Sequence, residues 1–264
     1  MSTTKYPSGH SPLPIPTGHK RVVFDDFTST KWSSAWSSPY NGESQAASPG
    51  YFIGSHSVLK GDSWLRLEAY PDPKNIVNCW QYDPNIANSV NQWGGAGVQT
   101  VTRWPVGTIF TWAMKWDTYP GITPIVLSMG NNWPPEQDFI EANVNSRGAS
   151  VYSYTSSYHY NQGNQQVQIK IADKGISLNK SHIWRVRWEK TETILTCDEI
   201  IVGRVHFTPE MNSPTDQYSL AQDQFLAFQI QTGDPNNPKA DSTVTSEKPI
   251  TMFVDWITID VPIG

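Results

Sequence analysis

Short runs of alternating apolar and polar residues recur along the whole chain. Examples are RVVFDDF at 21–27, SWLRLEAY at 63–70, GTIFTWAMKWD at 107–117, HIWRVRWEK at 182–190, QFLAFQIQT at 224–232 and ITMFVDWITIDV at 250–261. They are rich in β-branched and aromatic residues, and clusters of Gly, Pro, Asn and Asp separate them. This is the pattern of half-buried strands joined by turns. No stretch sustains a helical period, and strands do not alternate with helical segments, which argues against a parallel α/β sheet. The pattern predicts an all-β, jelly-roll-like sandwich of two antiparallel sheets. Residues 1–18, rich in Pro, Gly and Ser, are expected as a flexible tail, and 19–264 as one domain.

Composition narrows the partners. Charged residues are 16% of the chain and the net charge is −5, with no basic run. That is a poor match to a phosphate backbone or an anionic membrane. No segment has the ~20 apolar residues of a membrane span. The N-terminus lacks the apolar core of a secretory signal. Two cysteines, Cys79 and Cys197, are too few for a zinc site and are left either paired or as buried thiols. Twelve Trp and eleven Tyr imply a large aromatic core. Some of these rings could instead form an exposed platform, since flat rings stack on sugar faces.

One segment breaks the alternation. In WPPEQDFIEA, 133–142, Glu136 and Asp138 are two apart, whereas Glu141 follows Asp138 by three. In a regular strand Glu136 and Asp138 share a face and Glu141 points the other way, into the core beside Ile140. An unpaired buried carboxylate is costly. A β-bulge near Phe139–Ile140 removes the conflict by returning Glu141 to the face of the other two. Three neighbouring carboxyls repel one another and separate their protonation states. One neutral acid beside one charged carboxylate is what glycoside hydrolysis uses. A solvated acidic edge and a calcium site remain alternatives for such a cluster.

The hexapeptide EQDFIE resembles the E-[ILV]-D-[IVAF]-x-E signature of glycoside hydrolase family 16, a family that includes laminarinases, lichenases, agarases and carrageenases. Trp133–Pro134 resembles its lead-in. VVFDDF, WLRLEA, WGGAGVQT, GTIFTWAMK, HIWRVRW and MFVDWITI resemble its strands in order, covering roughly 19–264. The resemblance implies a concanavalin-like β-jelly roll with a glycan cleft. It makes Glu136 the nucleophile, Glu141 the acid/base and Asp138 the residue between them that tunes the nucleophile. It implies no catalytic cofactor, and a structural calcium held partly by Asp255.

Departures from that pattern affect the surroundings rather than the carboxylates. Pro135 stands where a glycine is usual and stiffens the entry to the strand. Gln137 stands where an aliphatic residue faces the core, so polar partners must lie nearby. Phe110 and Trp112 replace a Glu-x-Arg pair, and QIQTGDPNNP replaces a Gly- and Trp-rich stretch. The candidate sugar contacts are Trp112, Trp133 as a wall of the cleft, Trp93 as a loop platform, His159 on the strand after the carboxylates, and Gln229 with Gln231 at alternate positions of one strand. Trp184 and Trp188 are expected in the core. The functional expectation is a monomeric, extracellular or cell-surface, retaining endo-β-glycosidase acting on a polysaccharide. A non-catalytic carbohydrate-binding or surface-structural protein on the same fold is the alternative.

Overall fold

The structure, a computed structural model, describes residues 5–43, 45, 50–83, 92–131, 133–142, 154–160, 163–169, 176–177, 179–232 and 243–264. Among these residues the strands are β1 (His19–Asp25), β2 (Tyr51–Phe52), β3 (Ser57–Leu59), β4 (Leu65–Pro71), β5 (Trp93–Gln99), β6 (Ile109–Trp116), β7 (Ile122–Met129), β8 (Glu136–Glu141), β9 (Tyr154–Tyr160), β10 (Gly163–Ile169), β11 (His182–Trp188), β12 (Glu192–Cys197), β13 (Ile200–His206), β14 (Phe225–Thr232) and β15 (Ile250–Pro262). The one α-helix among the described residues, α1 (Pro73–Ile76), is a single turn capped by the Asp72 side chain.

The strands follow one hydrogen-bonded path, β10-β9-β8-β7-β14-β5-β4-β15-β6-β11-β12-β13. It turns a corner where β4 meets β5 through only Tyr70↔Gly94 and Pro71↔Trp93. The path thereby folds into two layers, one running from β10 to β5 and the other from β4 to β13. Every pairing is antiparallel except the two-residue contact of β2 with β5. This is the all-β jelly-roll sandwich that the alternation predicts.

The alternation explains how the layers close. Ala96, Val98, Val126, Leu226, Phe228 and Ile230 from the first layer face Phe110, Trp112, Met114, Val186, Val254 and Ile257 from the second, in one continuous core. Phe110 meets Phe139 at 6.1 Å and Trp112 meets Phe228 edge-on at 5.8 Å, both across the interlayer gap. Trp184 and Trp188 lie in this core, as expected. Cys79 and Cys197 are both buried and free, in separate apolar clusters.

The N-terminal segment, expected as a flexible tail, is fastened to the second layer. Ser8 N–H donates to Asp255, the Trp256 indole donates to the His10 carbonyl, and Arg21 donates to the Leu13 carbonyl. A Pro-rich composition predicts the absence of regular structure, but not the absence of partners.

Candidate active site

The site begins with the register of β8 on β7. Glu136 pairs with Met129, Gln137 with Ser128 and Asp138 with Leu127; then Ile140 pairs with Val126 and Glu141 with Ile125. Phe139 is the extra residue, so the bulge falls where the carboxylate spacing demands it. Phe139 and Ile140 consequently both enter the interlayer core. Glu136, Asp138 and Glu141 share the face that looks away from it. Glu136 and Glu141 are half-buried and Asp138 is nearly covered.

Gln137 is the strand's anchor on the core side. Its amide donates to Gln224 Oε1 at 3.1 Å, and its carbonyl oxygen accepts from the Thr193 hydroxyl at 2.8 Å. Thr193 belongs to β12, in the opposite layer, so this pair spans the sandwich. Ser128 completes the network by donating to Gln224 at 2.7 Å. The polar partners required by a core amide are present and fully buried.

The same face beside the carboxylates is apolar and covered at one end and polar at the other. Ile125, Leu127, Met129, Phe225 and Ala227 form a separate cluster on that face. Further along β14, Gln229 and Gln231 continue it, and Gln231 donates to Gln229 at 2.8 Å. Gln229 bonds the Tyr40 side chain, and the Tyr40 hydroxyl donates to Gln99 at 2.6 Å. Burial raises the Tyr40 phenol well above its ordinary range; the Gln229 bond opposes this, and the Glu43 and Glu136 carboxylates add to the rise. Tyr40 lies over Gly97, where any Cβ would sit 2.4 Å from its ring. Alternation along β14 suggested Gln229 and Gln231. Tyr40 and Gln99 carried no signal: Tyr40 lies in an irregular segment and meets β5 only in the fold.

The predicted aromatic contacts divide. Trp133 is 62% exposed and its indole donates to Glu136 Oε2 at 2.8 Å, so it stands against that carboxylate. Trp112 is a correction. It is fully buried between the layers on β6, with its indole on Met114 Sδ, because β6 belongs to the other layer and its Phe110–Trp112 face packs inward. Trp93 is a second correction. It is 1% exposed and packs beside Tyr119, because the two glycines that follow it are strand residues of β5 rather than a loop. His159 pairs in register with Glu136 across β8 and β9, which places it beside the carboxylates along the backbone; its side chain lies outside the described residues.

Among the described residues two places bear on metal binding. The Asp255 carboxylate is buried, with Oδ2 accepting from Ser8 N–H at 2.8 Å and Oδ1 without a partner. Burial raises its pKa, and the Ser8 bond only partly offsets this. An orphaned carboxylate oxygen fits one ligand of a cation, although calcium requires six to eight oxygens. His182, Cys197 and Asp198 also converge. Both ring nitrogens of His182 already have protein partners, Asp198 and the Ser177 carbonyl, and burial pushes the Cys197 thiol far up. That group is a structural cluster rather than a ready metal site. A larger cavity of about 880 Å³ lies against the second layer, near Arg185, Arg187 and Pro262, and contains none of the carboxylates.

No family model matches the sequence, and no curated protein matches it either. Solved structures do. An endo-acting O-glycanase from human gut microbiota that initiates mucin breakdown superposes with a TM-score of 0.71 at 19% identity, over 96% of this chain and 94% of that one. The fold is that of glycoside hydrolase family 16. A non-specific endo-β-1,3(4)-glucanase of this family matches with a TM-score of 0.69 at 16% identity, over 96% and 95% of the two chains. A pseudo-β-1,3-glucanase and immunostimulatory antigen of Mycobacterium tuberculosis matches with 0.64 at 18% identity, over 92% and 99%. These structural neighbours thus include both a glucanase and a pseudo-glucanase.

Proposed function

We propose that this chain is a retaining endo-β-glycosidase acting on a polysaccharide, either a β-1,3- or β-1,3-1,4-glucan or a galactan. The observation that carries the proposal is the bulge at Phe139, which aligns Glu136, Asp138 and Glu141 on one open face. In the first step Glu136 attacks the anomeric carbon while Glu141 protonates the departing glycosidic oxygen. In the second, Glu141 takes a proton from water, which displaces Glu136. Asp138, between them, orients Glu136 and restrains its charge. The Trp133 indole N–H holds Glu136 Oε2 in place. Gln229 and Gln231 bind hydroxyls along the same face. No catalytic cofactor is needed for this chemistry. We place a structural calcium at Asp255 on the strength of its orphaned oxygen. We further propose that the protein acts as a monomer outside the cell or at its surface, with no nucleic-acid partner. Among the described residues no helix is long and apolar enough to cross a membrane.

A second reading, a glycan-binding protein without turnover, is favoured by one observation. The side chains beside the carboxylates, Ile125, Leu127 and Phe225, are buried and apolar and add no further acid, base or polar group to them. The two readings are separated by a reducing-sugar screen over laminarin, lichenan, agarose, carrageenan and galactan, followed by proton NMR of fresh product. Retention of the β configuration supports double displacement. Initial release of the α anomer removes the nucleophile role from Glu136, and binding without release of reducing ends establishes the second reading.

A further inference from the structure

We infer that Trp80 and the asparagines around it form a second glycan contact, a site for one uncharged sugar ring beyond the edge of the carboxylate-bearing layer. The inference rests on the glycan reading above for its ligand class and on a different part of the molecule for its residues. Trp80 is 68% exposed, more than Trp133. A lone exposed indole is unremarkable; its setting is not. Asp72 caps α1, and Ile76 at its end and Cys79 just after it are buried against Tyr51 and Ile53. The turn is therefore anchored from below, and Trp80 projects outward from it. Gly42 fixes the ring edge: a Cβ there would lie 2.6 Å from Trp80 Cδ1, and the Gly42 φ of 91° suits glycine. Gly42 is itself held by its N–H on the Phe52 carbonyl and by its carbonyl on Gln81 N–H. The exposed ring is thus preorganised, which reduces the entropy lost on binding.

Beside the ring is a cavity of about 270 Å³ lined by Asn41, Ser55, Asn75 and Asn78 and, among the described residues, by no charged side chain. Each amide uses one end to hold its own loop. Asn41 Oδ1 accepts from Gly54 N–H, Asn75 Nδ2 donates to Asp72, and Asn78 Nδ2 donates to the Lys74 carbonyl. The other ends, Asn41 Nδ2, Asn75 Oδ1 and Asn78 Oδ1, have no protein partner among the described residues, nor do Ser55 Oγ and Trp80 Nε1. Donors and acceptors are therefore mixed around one flat apolar face. Sugar hydroxyls both donate and accept, and a pyranose presents an apolar face to stack. No cationic side chain lines it among the described residues, and the Asp72 and Glu43 carboxylates act on Cys79 in its wall, which argues against phosphorylated, sulfated or uronic acid ligands. The cavity is smaller than the ~300–1,000 Å³ of drug-sized sites, which suits a single ring. Ile53 in the cavity wall follows β2, which pairs with β5 and not with the carboxylate strand, so the site lies apart from the carboxylates.

The test is native affinity electrophoresis in gels containing laminarin, lichenan or galactan, comparing the Glu136→Gln protein with Glu136→Gln/Trp80→Ala and Glu136→Gln/Trp80→Phe. The expected result is retardation that falls several-fold with alanine and is largely kept with phenylalanine, at unchanged Tm. Equal retardation of all three proteins, or no retardation of any, overturns the Trp80 site. Turnover by the wild-type protein is scored separately. If it releases no sugar but Trp80→Ala still weakens retention, the hydrolase reading fails and the Trp80 site stands.

Discussion

Gln137 ties the carboxylate strand to the opposite layer, and replacing it with leucine measures that tie. Leucine fills a similar volume and removes both good hydrogen bonds. The Thr193 hydroxyl, 2% exposed, then loses its acceptor, whereas Gln224 keeps the Ser128 donor. A buried group left unpaired costs ~1–3 kcal/mol. The extra apolar area buried by leucine offsets about 1 kcal/mol of the total loss from both partners. The expected net destabilisation is about 2 kcal/mol. For a 264-residue domain, an unfolding entropy of ~2.1 cal/mol/K per residue converts this to a fall of ~3–4 °C in Tm. Thr193→Val alone orphans the Gln137 carbonyl oxygen and should cost about as much. The joint variant, Gln137→Leu with Thr193→Val, removes both partners and should cost only ~1 kcal/mol. Calorimetric melts of the four proteins complete the cycle. If the joint variant loses the sum of the single losses, the two side chains are not coupled, and the account of how β8 is held is wrong.

Glu136→Gln and Glu141→Gln should each lower turnover by at least ~10²–10⁴-fold, with unchanged circular dichroism; near-full activity of either variant removes its assigned role. Trp133→Phe keeps a ring but removes the N–H on Glu136, and should lower kcat/KM about tenfold, since bonds to charged groups are worth ~1.5–3 kcal/mol before discounting for the exposure of Trp133. Burial holds His56 below its ordinary pKa of 6.5 although the Asp72 carboxylate pulls the other way. The unfolded chain therefore takes up this proton first, and stability should fall as pH drops below about 6.5. A Tm series across pH on His56→Gln should show a flatter slope in that window, and an unchanged slope would assign the dependence elsewhere. If calcium occupies the Asp255 site, EDTA should lower Tm by several degrees and Asp255→Asn should abolish the difference; identical melts with and without EDTA remove the calcium.

Local rules alone carried much of this protein. Period-2 alternation identifies strands because side chains alternate across a pleat, whatever the strand pairs with. The same rule made the spacing Glu136–Asp138–Glu141 legible as a bulge, since the alternative was a carboxylate in the core. It also required partners for Gln137 without saying which. Alternation cannot say which of two layers a strand joins, and there the reading of the aromatics failed. Trp112 and the carboxylates each occupy one face of a strand, but β6 turns that face into the sandwich while β8 turns its carboxylates outward. Trp93 was read as a loop residue because glycines follow it; pairing with β2, β4 and β14 makes that stretch a strand. Tyr40, Gln99 and Gln229 are far apart in the chain and become one network only when an irregular segment is laid against β5. The Trp80 cavity has the same origin: its asparagines come from two segments that meet over Gly42. The sequence by itself determined most of the strands and which residues of each share a face, the start of β5 at Trp93 excepted. Only tertiary pairing decided which faces became core and which remained open to a ligand, because that choice depends on long-range contacts that no local window contains.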